Sequence, residues 1–112
     1  YTTSSGLQVQ AGRNNRQNDI LTKNAAPLDV WLHVRKRPGS HVIVRTQGAQ
    51  IDDASLIEAA QIAAAYSSGR TDGRVAVDYT LRKYVKKPGG APAGFVTYTH
   101  QQTLYVEPMK RQ

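Results

Sequence analysis

The densest group of polar side chains lies in residues 12–19, where two arginines stand among amides. Asn14 and Gln17 have the spacing of a capping box, which predicts that a helix begins here. A helix N-terminus offers free N–H groups and partial positive charge, and both favour phosphate or carboxylate. The amides suit base edges and sugar hydroxyls, or they simply cap the helix. The candidate RNA-binding residues are Arg13, Asn14, Asn15, Arg16, Gln17 and Asn18.

A second group joins an aromatic strand to a basic turn. Alternation with period two places Asp29, Trp31 and His33 on one face of a predicted strand, and a turn at residues 38–39 would bring His41 near them. Unstacked RNA bases and their phosphates bind to such aromatic and cationic groups. The alternative is that the tryptophan is a core residue covered by the first helix. The candidates added here are Trp31, His33, Arg35, Lys36, Arg37, Ser40 and His41.

A third group is the basic run of residues 82–87, which leads into a loop rich in glycine and proline at residues 88–94. Lysines beside a flexible loop suit contacts with a phosphate backbone. A solvated run of charge is the more ordinary interpretation of the same pattern. Lys86 and Lys87 are the candidate binding residues of this group.

Catalytic groups are poorly represented. His33 and His41 with Asp29 or Asp78 could form a site of two histidines and one carboxylate, but their spacing matches no ligand signature. Ser40 and His41 are neighbours on a strand and would point to opposite faces, so they do not form a hydrolase pair. We therefore expect no catalytic residue, no bound metal and no cofactor, and a protein that is not an enzyme.

The elements that must position these groups follow from hydrophobic periodicity. The order strand, helix, strands, helix, strands predicts an α+β fold: a single domain with a mostly antiparallel sheet and two principal helices. Ile20 and Leu21 are the expected buried face of the first helix, and Asp52 and Asp53 are the expected N-cap carboxylates of the second. The predicted strands cover residues 7–11, 30–34, 41–45 and 75–81, with a closing hairpin of residues 95–99 and 103–106.

Composition limits the class of protein. A chain of 112 residues has the length of one domain. Its 15 basic and 8 acidic residues give a net charge of +7, which is typical of proteins that bind polyanions. The chain contains no cysteine, so disulfides and cysteine-based zinc sites are excluded. It has neither an apolar run long enough to span a bilayer nor an export signal at its start, which predicts a cytoplasmic protein without a membrane partner.

Five motifs that follow one another along the chain resemble those of the NFACT-R domain, the C-terminal RNA-binding domain of the RqcH and fibronectin-binding protein A family. The resemblance covers nearly the whole chain, and the adjacent Asn14 and Asn15 are similar to the bacterial branch of the family. The motifs are residues 12–19, 29–33, 38–41, 77–80 and 85–88.

The resemblance implies the C-terminal domain of a larger ribosome quality-control factor. Such a factor binds the large ribosomal subunit and tRNA and supports C-terminal alanine tailing of stalled nascent chains, while the ribosome makes the peptide bonds. The implied partners are tRNA, ribosomal RNA of the large subunit and the other domains of the full-length protein. Some members are described as fibronectin-binding proteins, so a fibronectin-binding adhesin module is the alternative, and a metal-dependent hydrolase is the third.

Overall fold

The computed structural model describes residues 1–110, which contain two α-helices and seven β-strands. The α+β fold class predicted from periodicity is confirmed. In chain order the elements are β1 (Gln8–Ala11), α1 (Asn15–Asn24), β2 (Val30–Val34), β3 (Val42–Arg45), α2 (Asp53–Ala65), β4 (Val75–Leu81), a 3-10 turn (Arg82–Tyr84), β5 (Val85–Lys86), β6 (Thr97–Tyr98) and β7 (Gln102–Val106).

The main sheet has five strands in the order β1-β3-β2-β4-β7, and all its neighbours are antiparallel. The central strand β2 pairs with β3 through Trp31 opposite Ile43, and with β4 through His33 opposite Asp78. The predicted hairpin of β2 and β3 is thus confirmed. A separate two-stranded ribbon pairs β5 with β6.

Both faces of the main sheet are covered, which explains why β2 and β3 are buried along nearly their whole length. On one face, aliphatic side chains such as Leu32 and Val77 pack against the alanine-rich side of α2. On the other face, Trp31 and Ile43 pack with Leu21 of α1 and with the ribbon of β5 and β6. The sheet is therefore the middle layer, and the predicted site residues of β2 lie on the α1 face.

Both helices begin as their sequences predict. The Asn14 side chain accepts a hydrogen bond from the N–H of Gln17, and Asp52 accepts one from the N–H of Ser55. Such caps satisfy N–H groups that have no partner within the helix. Among residues 1–110, neither helix has the length and apolarity needed to cross a bilayer.

Two local predictions are wrong. Ile20 is 50% exposed, because α1 turns its polar residues Asn18 and Thr22 toward the sheet beside Leu21. The closing hairpin does not form, because the segment at Tyr98 pairs with β5 while β7 pairs with β4. Tyr98 is held on the sheet face by a 2.7 Å hydrogen bond from its hydroxyl to Asp78.

Candidate nucleic-acid interface

The N-terminus of α1 places a pair of arginines at the surface. The N–H of Gln17 donates to the Asn14 side chain, and the Gln17 side chain accepts a 3.0 Å hydrogen bond from the N–H of Arg13. Arg13 and Arg16 are exposed, and within residues 1–110 their guanidinium groups make no hydrogen bond or ion pair. The two amides that cap the helix are therefore structural, while the two arginines keep their charge available for an anion.

Asn18 does not face solvent as an RNA contact would. It is buried, and its Oδ1 accepts a 3.0 Å hydrogen bond from the backbone N–H of His41. A Cβ on Gly12 would lie 2.0 Å from the same oxygen, so glycine is required there for the close approach. Asn18 fixes α1 to the start of β3, and this corrects the expectation that it presents its amide to a ligand.

A cleft of about 570 Å³ opens between the start of α1 and the end of α2. The turn that joins β2 to β3 forms its third wall, and Ser40 lies there in a buried position. Arg70, after α2, adds a cation that the sequence motifs did not single out. The site residues that line this cleft include Arg13, Asn14, Asn15, Ser40 and Arg70.

The turn after β2 carries three consecutive basic residues with different environments. Arg35 and Lys36 are exposed, and neither side chain makes a hydrogen bond or ion pair in the described part of the chain. Arg37 instead binds Asp72 and donates to the Ser68 hydroxyl at 3.2 Å. Arg35 and Lys36 are therefore the better candidates for phosphate, and Arg37 braces the turn against the end of α2.

Trp31 lies in the core of the α1 face and is 0% exposed. Its ring lies 4.7 Å from that of Tyr98, 5.3 Å from His41 and 5.8 Å from His33, as centroid distances. The sequence left open whether Trp31 is covered or free for stacking, and the structure shows that it is covered. Base stacking on a free face of this ring is not available in this conformation, because α1 and the ribbon occupy the space.

His41 is held in one tautomer by two buried hydrogen bonds. Its Nε2 lies 3.2 Å from the carbonyl oxygen of Gly94, which can only accept, so Nε2 carries the proton. Its Nδ1 therefore accepts from the Thr22 hydroxyl at 2.8 Å. Burial, together with the charge of His33, lowers the pKa of His41 to about 4. His41 is thus a neutral link between β3, α1 and the loop before β6.

This pKa predicts that the domain loses stability in mild acid. Above pH 6.5 the imidazole of His41 is neutral in both folded and unfolded chains, and its contribution to stability is fully present. Between pH 6.5 and 4 only the unfolded chain binds the proton, so the free energy of unfolding should fall by about 1.4 kcal/mol per pH unit from this group. Urea denaturation across that range measures the slope.

The matched variant for this test is His41→Gln, which removes the titrating group and keeps an amide donor. Burial also lowers the pKa of His33, so that residue keeps its own share of the slope in the variant. The variant should be less stable at pH 7 and should show a shallower pH dependence than the original chain. An identical slope in both proteins would contradict the assigned role of His41.

A second, smaller cavity of about 190 Å³ lies on the α1 face beside the basic turn. Lys36 and Arg37 line it together with Trp31, the partly buried His33 and the buried His41. Phe95 also lines it and is 52% exposed, although the sequence motifs did not include this residue. An aromatic residue directly after a loop rich in glycine and proline is the sequence signal that could have identified it.

The lysines of the third group are less closely joined to the interface. Lys87 forms a 3.2 Å ion pair with Asp19 of α1 and also binds the carbonyl oxygen of Pro92, so it anchors the loop. Lys86 is exposed on the ribbon.

Within residues 1–110, no group of three or more His, Asp or Glu side chains could hold a metal ion. The prediction that the protein binds no metal is tested by direct metal analysis of purified protein.

Comparison with known proteins identifies the family. Residues 1–99 match the NFACT protein RNA binding domain. The chain is 48% identical over 109 residues to the Rqc2 homolog RqcH of Bacillus subtilis (strain 168), covering 96% of this chain and 19% of that protein. It is 43% identical over 110 residues to the Rqc2 homolog RqcH of Streptococcus pneumoniae serotype 2, covering 96% and 20% respectively.

A solved structure agrees with this assignment. The C-terminal part of the fibronectin/fibrinogen-binding protein from Streptococcus suis superposes with a TM-score of 0.93 at 38% identity, covering 98% of this chain and 45% of that one. The chain thus spans about a fifth of the length of the curated relatives named above. Since the match extends over most of the described residues and both the sequence and the fold agree, the chain belongs to the NFACT RNA-binding domain family.

Proposed function

We propose that this domain binds tRNA or ribosomal RNA of the large subunit, as the RNA-binding module of a cytoplasmic ribosome quality-control factor. The observation that carries the proposal is the set of exposed cations around the start of α1 and the turn after β2. Arg13, Arg16, Arg35 and Lys36 are exposed and belong to none of the ion pairs within residues 1–110. Cations placed in this way neutralise phosphates without the cost of breaking an existing pair.

The domain contributes binding and no chemistry in this proposal. The whole factor would support C-terminal alanine tailing through its other domains and the ribosome, and this chain spans only about a fifth of its curated relatives. Crosslinking of the full-length protein in cells would identify the RNA that this domain touches. Crosslinks from residues 13–18 or 35–37 to tRNA, or to the large-subunit RNA, would distinguish the two ligands.

Steep salt dependence is the expected signature of the proposed binding. Each neutralised phosphate adds about 0.7 to 0.9 to the slope of log K against log salt. Contacts by three of the exposed cations therefore give a slope of about −2 to −3. The measurement is fluorescence anisotropy of labelled tRNA between about 50 and 200 mM salt, a range over which phosphate-dependent affinity falls steeply.

Fibronectin is the competing ligand for the same experiment, because the neighbour from Streptococcus suis is a fibronectin/fibrinogen-binding protein. Labelled fibronectin is titrated with the domain under the same conditions. Saturable binding of fibronectin together with a flat salt response to tRNA would contradict the proposal and favour an adhesin module.

A further inference from the structure

The small cavity on the α1 face is open to solvent and lined mainly by aromatic rings. Trp31, His33, His41, Tyr98 and Phe95 all line it, with a volume of about 190 Å³. The rings are held at close distances, such as 5.7 Å between the centroids of His33 and His41. A cavity of this size and lining fits one flat ring better than a chain of several groups.

Trp31, which lines the cavity, carries a buried polar atom without a partner. Trp31 Nε1 is the one buried side-chain nitrogen or oxygen in residues 1–110 that makes no hydrogen bond. A buried donor without an acceptor costs about 1–3 kcal/mol, and most such groups in folded proteins are satisfied. A ligand that displaces the side chains over this N–H and brings an oxygen or a ring nitrogen to it would remove the cost.

The rim of the cavity is fixed before any ligand arrives. The carbonyl oxygen of Gly94 accepts from His41, and the N–H of Gly94 donates to Asp19 at 3.0 Å. The φ of Gly94 is +83°, and a Cβ there would lie 2.6 Å from Oδ1 of Asn15, so glycine is required. These contacts hold Phe95 at the edge of the cavity, where its ring is half exposed.

The charges around the cavity favour an anionic ligand that carries a neutral ring. Lys36 is exposed on the rim without an ion pair among residues 1–110, and Arg37 lies beside it. Two carboxylates lie near the cavity, and both already have partners: Asp19 forms a 3.2 Å ion pair with Lys87. Asp78 is buried and accepts hydrogen bonds from Tyr98 and Thr103, both at 2.7 Å. Burial lowers the pKa of both His33 and His41, so neither adds charge at neutral pH.

We propose that this cavity receives a single unpaired nucleobase of RNA, which stacks on Phe95 and accepts a hydrogen bond from the indole N–H of Trp31. Lys36 then contacts the adjoining phosphate. The inference rests on the proposed RNA-binding function and adds a preference for single-stranded or extruded bases, since a paired base cannot enter a cavity of this size.

The first test compares Phe95→Ala with Tyr105→Ala, which removes a similarly exposed aromatic from β7 outside the cavity. Two probes are used: a ten-nucleotide single-stranded RNA and an abasic ribose-phosphate oligomer of equal length. Loss of stacking should weaken RNA binding by about 5- to 150-fold in Phe95→Ala, and much less in Tyr105→Ala. Binding of the abasic oligomer should be nearly the same in both variants, because it contacts only cations.

The second test uses the fact that Trp31 is the chain's one tryptophan. The RNA should change its fluorescence, and the abasic oligomer should not. Trp31→Phe keeps an aromatic ring and removes the N–H, so a chain that still melts cooperatively should bind the RNA several-fold more weakly.

The outcomes separate the two proposals. Salt-dependent RNA binding with equal affinities in the Phe95 and Tyr105 variants and unchanged Trp31 fluorescence would overturn the base pocket and leave RNA binding intact. Absence of RNA binding by the folded domain would remove the proposed function and the pocket together.

Discussion

Truncation of Trp31 to alanine is expected to lower the free energy of unfolding by about 3–5 kcal/mol, the range for loss of a large aromatic from a core. The ring is fully buried and joins α1, β3 and the ribbon of β5 and β6 through one cluster. Small domains have a total stability of about 5–15 kcal/mol, so the variant should be marginally folded. Thermal melting followed by circular dichroism measures the change.

Tyr105→Ala is the control for this prediction, since that ring is 60% exposed. Its melting temperature should stay close to that of the original chain. A Trp31→Ala protein that melts at a similar temperature would show that the α1 face contributes little to stability, and would place the main core on the α2 face alone.

Replacement of Arg13 and Arg16 together by glutamate is expected to weaken RNA binding by about 10- to 100-fold at low salt and to flatten the salt dependence by about 1.5 in slope. Both side chains are exposed and unpaired in the described chain, so the loss should fall on binding. Acidic residues at the start of a helix complement its dipole, and the fold should be at least as stable as before. Anisotropy with tRNA and a melting curve give the two readings.

The matched control is Lys23→Glu with Lys83→Glu, which makes the same change in net charge at other positions. Lys23 lies in the last turn of α1. Lys83 follows β4, whose last residue pairs with Val30 at the start of β2. Lys83 is therefore at the opposite end of β2 from the basic turn. This variant should retain most of the affinity. Equal losses in the two double variants would mean that RNA responds to overall charge and not to the proposed interface.

The parts of the fold fixed by local chemistry could be predicted from the sequence. Asn14 and Asp52 cap helices because their side chains reach N–H groups a few residues along the same chain. The alternation in β4 and the turn between β2 and β3 are equally local. Such features need no knowledge of distant partners, and the structure confirms them.

The parts that depend on distant partners could not be predicted. The alternation around Trp31 gives its face but does not show what covers that face, and the ribbon that does so comes more than fifty residues later. Tyr98 pairs with β5, and its hydroxyl donates to Asp78 of β4, two long-range contacts that periodicity cannot reveal. Phe95 resembles any loop aromatic until the position of Gly94 against α1 is known.

The position of β2 at the centre of the sheet has a consequence during synthesis on the ribosome. Its partner β3 follows almost at once, but β4 begins forty-one residues after β2 ends, at Val75. Until then one edge of β2 is unpaired, and its side chains on both faces are mostly apolar. Exposed apolar edges favour association between chains. We therefore expect that fragments ending before β4 aggregate, and that a nascent domain is safe from aggregation only once β4 has left the exit tunnel.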